Sequence, residues 1–272
     1  MARSAERVSA SGQSEVGALL RTWREVRGKS QLDLALDTGV SQRHISFIES
    51  GRSSPSRQKL TEIAEGLDIP LRERNALLLA AGYAPIYSQS GLDAPEMASI
   101  TTVLRRVLRQ HEPFPAVVMD RYWNVVMTND AAPRFFGTFI DMDARPKPRN
   151  LLHLMFDPDG MRPFIADWES VSQSLLARVY RESIGRVLDE KTKALLAALR
   201  AYADVGQETL LSPSPVLPMV PIGFVQDKRV LNYFSMITTV GTPQTIAAEE
   251  LRIECMYPAD EATEAYHSKL MG

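Results

Sequence analysis

The chain carries a single cysteine, Cys255, in 272 residues. One thiol excludes an internal disulfide and any zinc site built from cysteines, and it fits a reducing cytoplasm. No stretch approaches the roughly 18 consecutive apolar residues of a membrane span. The opening MARSAERVSASGQS lacks the apolar run of a secretory leader. Histidine is scarce, and His44, His111, His153 and His267 sit at no metal-ligand spacing from one another or from an acidic cluster. His111 and His153 read as surface or satisfied interior groups. Walker loop, dinucleotide fingerprint and nucleophile elbow are all missing. FDPDG (156–160) has two carboxylates and a glycine but not the remaining ligands of a calcium loop, so it reads as a turn. Cys255 lies in the alternating run ELRIECMY with no base beside it, as a packed thiol does. These absences leave an enzyme, a metal centre or a bound cofactor without residues to stand on.

A strong charge of either sign is missing too, since the net charge is −2. Apolar residues make up 44% and charged ones 24%, as in a globular chain, and the length suits one large domain or two ordinary ones. The local distribution says more. Within 41–59, Arg43, Arg52, Arg57 and Lys59 are opposed by Glu49 alone. A basic patch of this kind matters more than the whole-chain balance.

What is present begins with helical periodicity over 15–82, after a Ser/Ala-rich segment (1–14) that reads as a flexible arm. Val16, Leu19, Leu20, Trp23 and Val26 mark a first apolar face. Ser30 is placed to cap a second helix, Gly39 to end it and Ser41 to cap a third. SSPS (53–56) is a loop. Leu60, Ile63, Ala64 and Leu67 mark a fourth helix, and Pro70 suits the first turn of a fifth. GYAPIYSQSGLDAPE (82–96) then breaks the pattern, and a linker is expected over 83–96.

DTGVSQRHISFIESGR (37–52) has the spacing of two helices joined by a tight turn. Ala35 is a small residue for a close approach, Gly39 turns the chain, and Leu34, Val40, Ile45 and Ile48 face inward. Thr38 stands where an apolar residue is usual, a mild departure. Gln42, Arg43, Ser46 and Phe47 are left facing outward. In a helix lying in the major groove, Gln suits adenine, Arg suits guanine, and Phe suits a thymine methyl. Gln31, Ser41, His44, Arg52, Ser54 and Arg57 are placed to meet phosphates.

Residues 16–82 resemble the phage-repressor-like (XRE) helix-turn-helix family. That resemblance implies a sequence-specific regulator bound as a homodimer to a palindromic site on double-stranded DNA. It also implies a pair between Arg24 on the first helix and Glu49 near the end of the recognition helix.

Beyond the linker the texture changes. Met97, Ile100, Leu104, Val107 and Leu108 form a helical stripe that can cover a sheet or pair between subunits. PAVVMD and YWNVVMTN (115–129) read as strands with apolar groups on both faces, hence covered on both sides. Helical material follows over 150–204, then three strands in MVPIGFVQ, RVLNYFSMITTV and ELRIECMY, and a terminal helix. The expectation is an all-α five-helix repressor-like domain (15–82) followed by an α+β domain with an antiparallel sheet (97–272).

WNVVMTNDAA, NLLHLMFDPDGMRPFIADWE, PVLPMVPIG and TTVGTPQTIAAEELRIECMYPAD resemble the MmyB-like regulator domain, which folds like a PAS sensor. This resemblance, over about 100–265, implies a non-covalent small apolar ligand, of which fatty acids are the class associated with the family. Residues suited to an apolar pocket are Val117, Met119, Phe135, Phe136, Leu154, Met155, Phe164, Trp168, Leu176, Phe234 and Met236, with Phe139 beside them. Each also suits an ordinary core. Arg162 and Arg178 read as exposed, with a carboxylate head as the other role open to them. The competing reading is a second domain that only dimerises, with a filled core and no ligand.

Overall fold

The computed structural model describes residues 2–184, 189–203 and 221–272, and of residues 2–13, 183, 184 and 203 the backbone alone. Two compact units emerge. The first holds chiefly Met1–Ser90 with Gln244–Glu249, the second chiefly Gly91–Ser183, Leu188–Pro243 and Glu250–Gly272. The division at Ser90 falls inside the 83–96 stretch. Gln244–Glu249 departs from the continuous 97–272 domain expected, because the Ile246 N–H bonds the Ser88 carbonyl at 3.0 Å.

The first unit is helical: α1 (Ala2–Val26), α2 (Gln31–Thr38), α3 (Gln42–Glu49), α4 (Arg57–Gly66) and α5 (Leu71–Ala80). The separate arm expected over 1–14 is not seen, since α1 begins at Ala2. No proline interrupts that stretch, and one glycine inside a helix costs only about 1 kcal/mol. The caps follow local chemistry. Ser30 and Asp33 form a reciprocal capping box on α2, and Gly39 closes it at φ 68° with its N–H on the Ala35 carbonyl. Ser41 and Ser56 cap α3 and α4. Pro70 is itself the N-cap of α5, one residue earlier than expected. Leu34, Val40, Ile45, Ile48, Leu60, Ile63 and Leu67 join Val16, Leu20 and Trp23 in one buried core. Thr38 tolerates its half-buried place because its hydroxyl donates to the Leu34 carbonyl at 2.6 Å.

The second unit runs α6 (Ala98–Gln110), β1 (Ala116–Met119), β2 (Val125–Thr128), α7 (Ala131–Gly137), α8 (Leu151–Phe156), α9 (Trp168–Ile184) and α10 (Glu190–Ala203). It continues with β3 (Ile222–Gln226), β4 (Arg229–Thr239), β5 (Arg252–Pro258) and α12 (Glu261–Met271), while α11 (Ile246–Glu250), between β4 and β5 in sequence, falls almost wholly in the first unit. Most of PVLPMVPIG, and Met219 and Val220 of the third expected strand, lie outside the described residues. The sheet is antiparallel throughout, in the order β2-β1-β5-β4-β3. This is the PAS-like α+β arrangement expected.

Register brings distant residues together, with Val117 opposite Glu254 and Ser235 opposite Met256. Cover on both faces holds for the central strand β1, every residue of which is buried. It fails for β2, which alternates half-buried and exposed along an edge of the sheet, and for the exposed end of β4. Leu104 and Leu108 of α6 are buried and the helix packs against β1, as the apolar stripe requires. Phe135 is fully buried, with the rings of Phe136, Phe139, Phe224 and Tyr233 all 5.2–5.4 Å from its own. A phenylalanine in such a place contributes roughly 1.5–3 kcal/mol.

Candidate nucleic-acid interface and ligand cavity

The interface is built on α3. Ile45 and Ile48 anchor one side of this two-turn helix in the core, at 2% and 1% exposure, and so fix its other side outward. Gln42 and Arg43 are exposed, while Ser46, Phe47 and His44 are half-buried. The Arg43 guanidinium lies 5.3 Å from the centre of the Phe47 ring, an i, i+4 pairing that gives the outward face a cationic ridge with an apolar base. Arg52, Ser54 and Arg57 are exposed on the loop and helix start that follow. Ser41 accepts the His44 N–H at 3.3 Å, which leaves its hydroxyl proton available to a phosphate oxygen.

Glu49, the acid inside the basic patch, is turned inward and its side chain is 1% exposed. Arg24 Nε donates to Oε1 at 2.7 Å and Nη2 to Oε2 at 3.0 Å. Gln31 Nε2 donates to Oε2 at 2.9 Å, and Arg21 Nε lies 3.6 Å from the same oxygen. Burial pushes the Glu49 carboxyl upward. The bonds from Arg24 and Gln31 and the charges of Arg24 and Arg21 outweigh it and hold the group below its ordinary value. Gln31, expected at a phosphate, therefore directs its side chain to Glu49, and its helix-terminal backbone N–H remains for that role. Lys59 is tied to Glu62 at 2.7 Å.

Sequence reasoning missed one residue here. A methyl at Gly17 would stand 2.5 Å from the Ile48 carbonyl oxygen and 2.8 Å from that of Glu49. A close approach to the recognition helix thus comes from α1, whereas Ala35 on α2 is only half-buried against the core.

Among the described residues of the second unit, two neighbouring cavities bear on the site. The first, about 40 Å³, is lined by Val117, Phe136, Met155 and Phe234 among the residues expected. Trp123, Phe224, Tyr233, Glu254 and Met256 line it as well and were not foreseen. The second, about 200 Å³, shares Val117, Phe136 and Leu151 with the first, and Leu154 lines it too. Other expectations need correction. Met119, Phe135 and Leu176 fill the core at 2% exposure or less and line neither cavity. Phe164 packs on Phe139, and Trp168 on Phe156 and Arg162. Met236 is 57% exposed, because the end of β4 runs past its cover.

Neither arginine of the helical middle is exposed or free. Arg162 stacks on Trp168 and donates to the Tyr202 carbonyl at 2.6 Å. Arg178 lies 4.3 Å from the centre of the Trp123 ring and pairs with Glu254 at 3.1 Å and Glu182 at 3.2 Å. Trp123 holds its place at φ +67°, a strained conformation for a bulky residue.

Tyr233, in the first cavity's wall, donates its hydroxyl proton to His267 Nδ1 at 2.7 Å. His267 Nε2–H donates in turn to the Pro113 carbonyl at 2.8 Å, which sets the tautomer. Burial pushes the Tyr233 phenol up and the fully buried His267 imidazole down, so both stay neutral near pH 7. His111 bonds the Met256 carbonyl at 2.8 Å, and His153 packs edge-on against Tyr202. Cys255 is buried, and burial raises its thiol. Asp157 of the FDPDG turn is paired with Arg145 at 2.8 Å. Among the described residues no cluster of ligating side chains could hold a metal, and no helix is long and apolar enough to cross a membrane.

Comparison with known proteins places both units. The family model of the MmyB-like transcription regulator ligand binding domain matches residues 100–270, and a helix-turn-helix model matches residues 20–74. Uncharacterized HTH-type transcriptional regulators from Mycobacterium bovis and from two strains of Mycobacterium tuberculosis are 33% identical over 110 residues. The match spans 40% of this chain and 39% of each relative. Among solved structures, an RNA-binding Light-Oxygen-Voltage receptor aligns with 99% of this chain and 65% of its own. At 13% identity and a TM-score of 0.25, that likeness carries no weight.

Proposed function

As the chain belongs to the MmyB-like transcription regulators, with a DNA-binding helix-turn-helix and a ligand-binding-type domain, we propose that the outward face of α3 reads base edges in the major groove. Gln42, Arg43, Ser46 and Phe47 make the base contacts. Ser41, His44, Arg52, Ser54, Arg57 and the Gln31 backbone hold phosphates. The observation that carries this reading is the fate of Glu49. With that carboxylate buried and neutralised by Arg24, the face beside it presents arginines without an opposing acid.

Two copies bind as a dimer on a roughly palindromic site, with half-sites about one helical turn apart. Selection from random duplexes tests this. Recovery of paired inverted half-sites supports it, and recovery of single or direct-repeat sites counts against the symmetric dimer.

The second domain takes a small, mostly apolar ligand, and a fatty acid is the class considered. Both cavities are smaller than the roughly 300–1,000 Å³ of ordinary ligand pockets. A long chain therefore requires the shared wall of Val117, Phe136 and Leu151 to yield and join them. A ligand that binds the joined arrangement better shifts the population toward it, and this is how it acts on DNA binding in the cytoplasm. Mass spectrometry of an organic extract of the purified protein, against a mock purification, tests the point. A stoichiometric apolar molecule supports the reading. A clean blank favours the second reading, a domain that serves dimerisation alone, for which the small size of the first cavity speaks.

A further inference from the structure

We infer that the larger cavity is an anion site in its own right, taking a compact carboxylate such as a single aromatic ring bearing one carboxyl group. Its floor is apolar, formed by Val117, Val125, Phe136 and Leu154. Its rim includes Lys147, Arg149 and Asn150. Asn150 has no capacity left. Its Oδ1 accepts the Leu152 and His153 N–H groups, and its Nδ2 donates to the Tyr122 carbonyl and to Asn124 Oδ1.

The cations differ. Arg149 Nη2 donates to the Met142 carbonyl at 2.7 Å, and its nearest acid, the fully exposed Asp143, stands off at 3.7 Å. Arg149 Nε is buried with no hydrogen-bond partner, an arrangement that folded proteins rarely leave standing. Lys147 is exposed and has no ion-pair partner among the described residues. Arg145, on the same loop, is paired with Asp157 and is not counted.

A chamber with two cations at its rim, Lys147 unpaired and Arg149 only partly engaged, selects an acceptor with negative charge, to which a charged donor gives a charge-assisted bond. Size narrows the class. An apolar cavity of about 150 Å³ in a protein core admits benzene, so about 200 Å³ suits one ring and a small head group. The inference goes beyond the apolar-ligand reading, because it holds whether or not an acyl chain enters the adjoining cavity.

Methionine methyl groups report which chamber is entered. Met142 lines only the larger cavity, whereas Met155 and Met256 line only the smaller. The full chain, labelled with ¹³C at its methionine methyls and assigned with Met142→Leu, is titrated with benzoate and separately with benzyl alcohol. Benzoate is expected to shift the Met142 signal saturably, with benzyl alcohol at least roughly tenfold weaker, since it lacks the charge-assisted bonds. Arg149→Gln is expected to weaken benzoate by a similar factor, and Lys147→Gln, at an exposed position that folding tolerates, by several-fold. Equal affinity for the two probes, no saturable shift of Met142, a response confined to Met155 and Met256, or unchanged benzoate affinity in Lys147→Gln with Arg149→Gln unfolded would overturn it. Failure here with a lipid in the organic extract sinks the anion site alone. Benzoate binding with a blank extract sinks the acyl-chain reading alone.

Discussion

Glu49 accepts hydrogen bonds from both Nε and Nη2 of Arg24, at 2.7 and 3.0 Å, across 25 residues of sequence. The pair pins the end of the recognition helix to α1. Arg24→Ala would leave the carboxylate buried with only Gln31 and the more distant Arg21, and a loss of roughly 3–5 kcal/mol is expected. Chemical denaturation of the two proteins measures it, and a loss under about 1 kcal/mol would mean that the pair is dispensable.

The same pair sets an acid dependence. The Glu49 carboxyl lies below its ordinary value in the fold, so the unfolded chain binds the proton more readily. Its stabilisation is complete above the ordinary carboxylate range and fades as pH falls through that range toward the lower folded value. His267 acts higher. Its folded value is also depressed, by burial, so stability is full above the ordinary imidazole value near 6.5 and declines below it. His267→Gln can keep bonds to Tyr233 and Pro113 without titrating. Melting temperature between pH 7.5 and 5.5 should fall less in this variant than in the parent, and parallel curves would place the slope elsewhere.

Base reading and phosphate holding separate by experiment. Gln42→Ala or Arg43→Ala is expected to lose roughly 1–3 kcal/mol on the selected site and to relax specificity. Arg52→Ala or Arg57→Ala should weaken selected and scrambled duplexes alike and reduce the salt slope by about 1 for each phosphate no longer neutralised. Equal weakening of both duplexes by all four changes would rule out direct readout by α3.

Gly17 supplies a test of packing. A methyl there meets two carbonyl oxygens at 2.5 and 2.8 Å, and both belong to the backbone of the recognition helix. Overpacking of this kind costs roughly 1–3 kcal/mol, against about 1 kcal/mol of helix propensity that alanine regains. Gly17→Ala should therefore lower stability and, by displacing the end of α3, weaken operator binding. A gain in melting temperature would show that α1 can retreat freely.

Legibility in the sequence followed the range of the interaction. Ser30, Gly39 and Ser41 announce helix ends because a cap is a contact over two to four residues, and Ile45 and Ile48 mark their face by periodicity alone. The Gly17 constraint was silent because its partners lie some thirty residues later. The cavity walls were silent for a related reason. Val117, Phe224, Tyr233 and Glu254 come from four strands and converge only once the β2-β1-β5-β4-β3 order is known. Composition pointed instead to bulky helical residues, and Phe135 and Leu176 turned out to be the filling rather than the wall. Met236 misled because alternation tells which residues share a face, not where the cover on that face stops.

Phe136 decides whether the two cavities can act as one. It is 5% exposed, lines both, and stands with Val117 and Leu151 in the wall between them. Phe136→Ala removes the bulkiest part of that wall, and a cost of roughly 3–5 kcal/mol is expected for the packing removed and the space left behind. That space would be apolar on most sides, and such cavities stay dry and accept small hydrocarbons. Benzene should therefore raise the melting temperature of the variant by more than it raises that of the parent, through mass action on the folded state. If the variant lost stability without rescue by benzene, the neighbouring side chains would have collapsed into the gap. The wall would then be plastic enough to open for a chain unaided. If benzene stabilised parent and variant equally, Phe136 would not be the barrier, and Val117 and Leu151 would be the next to replace.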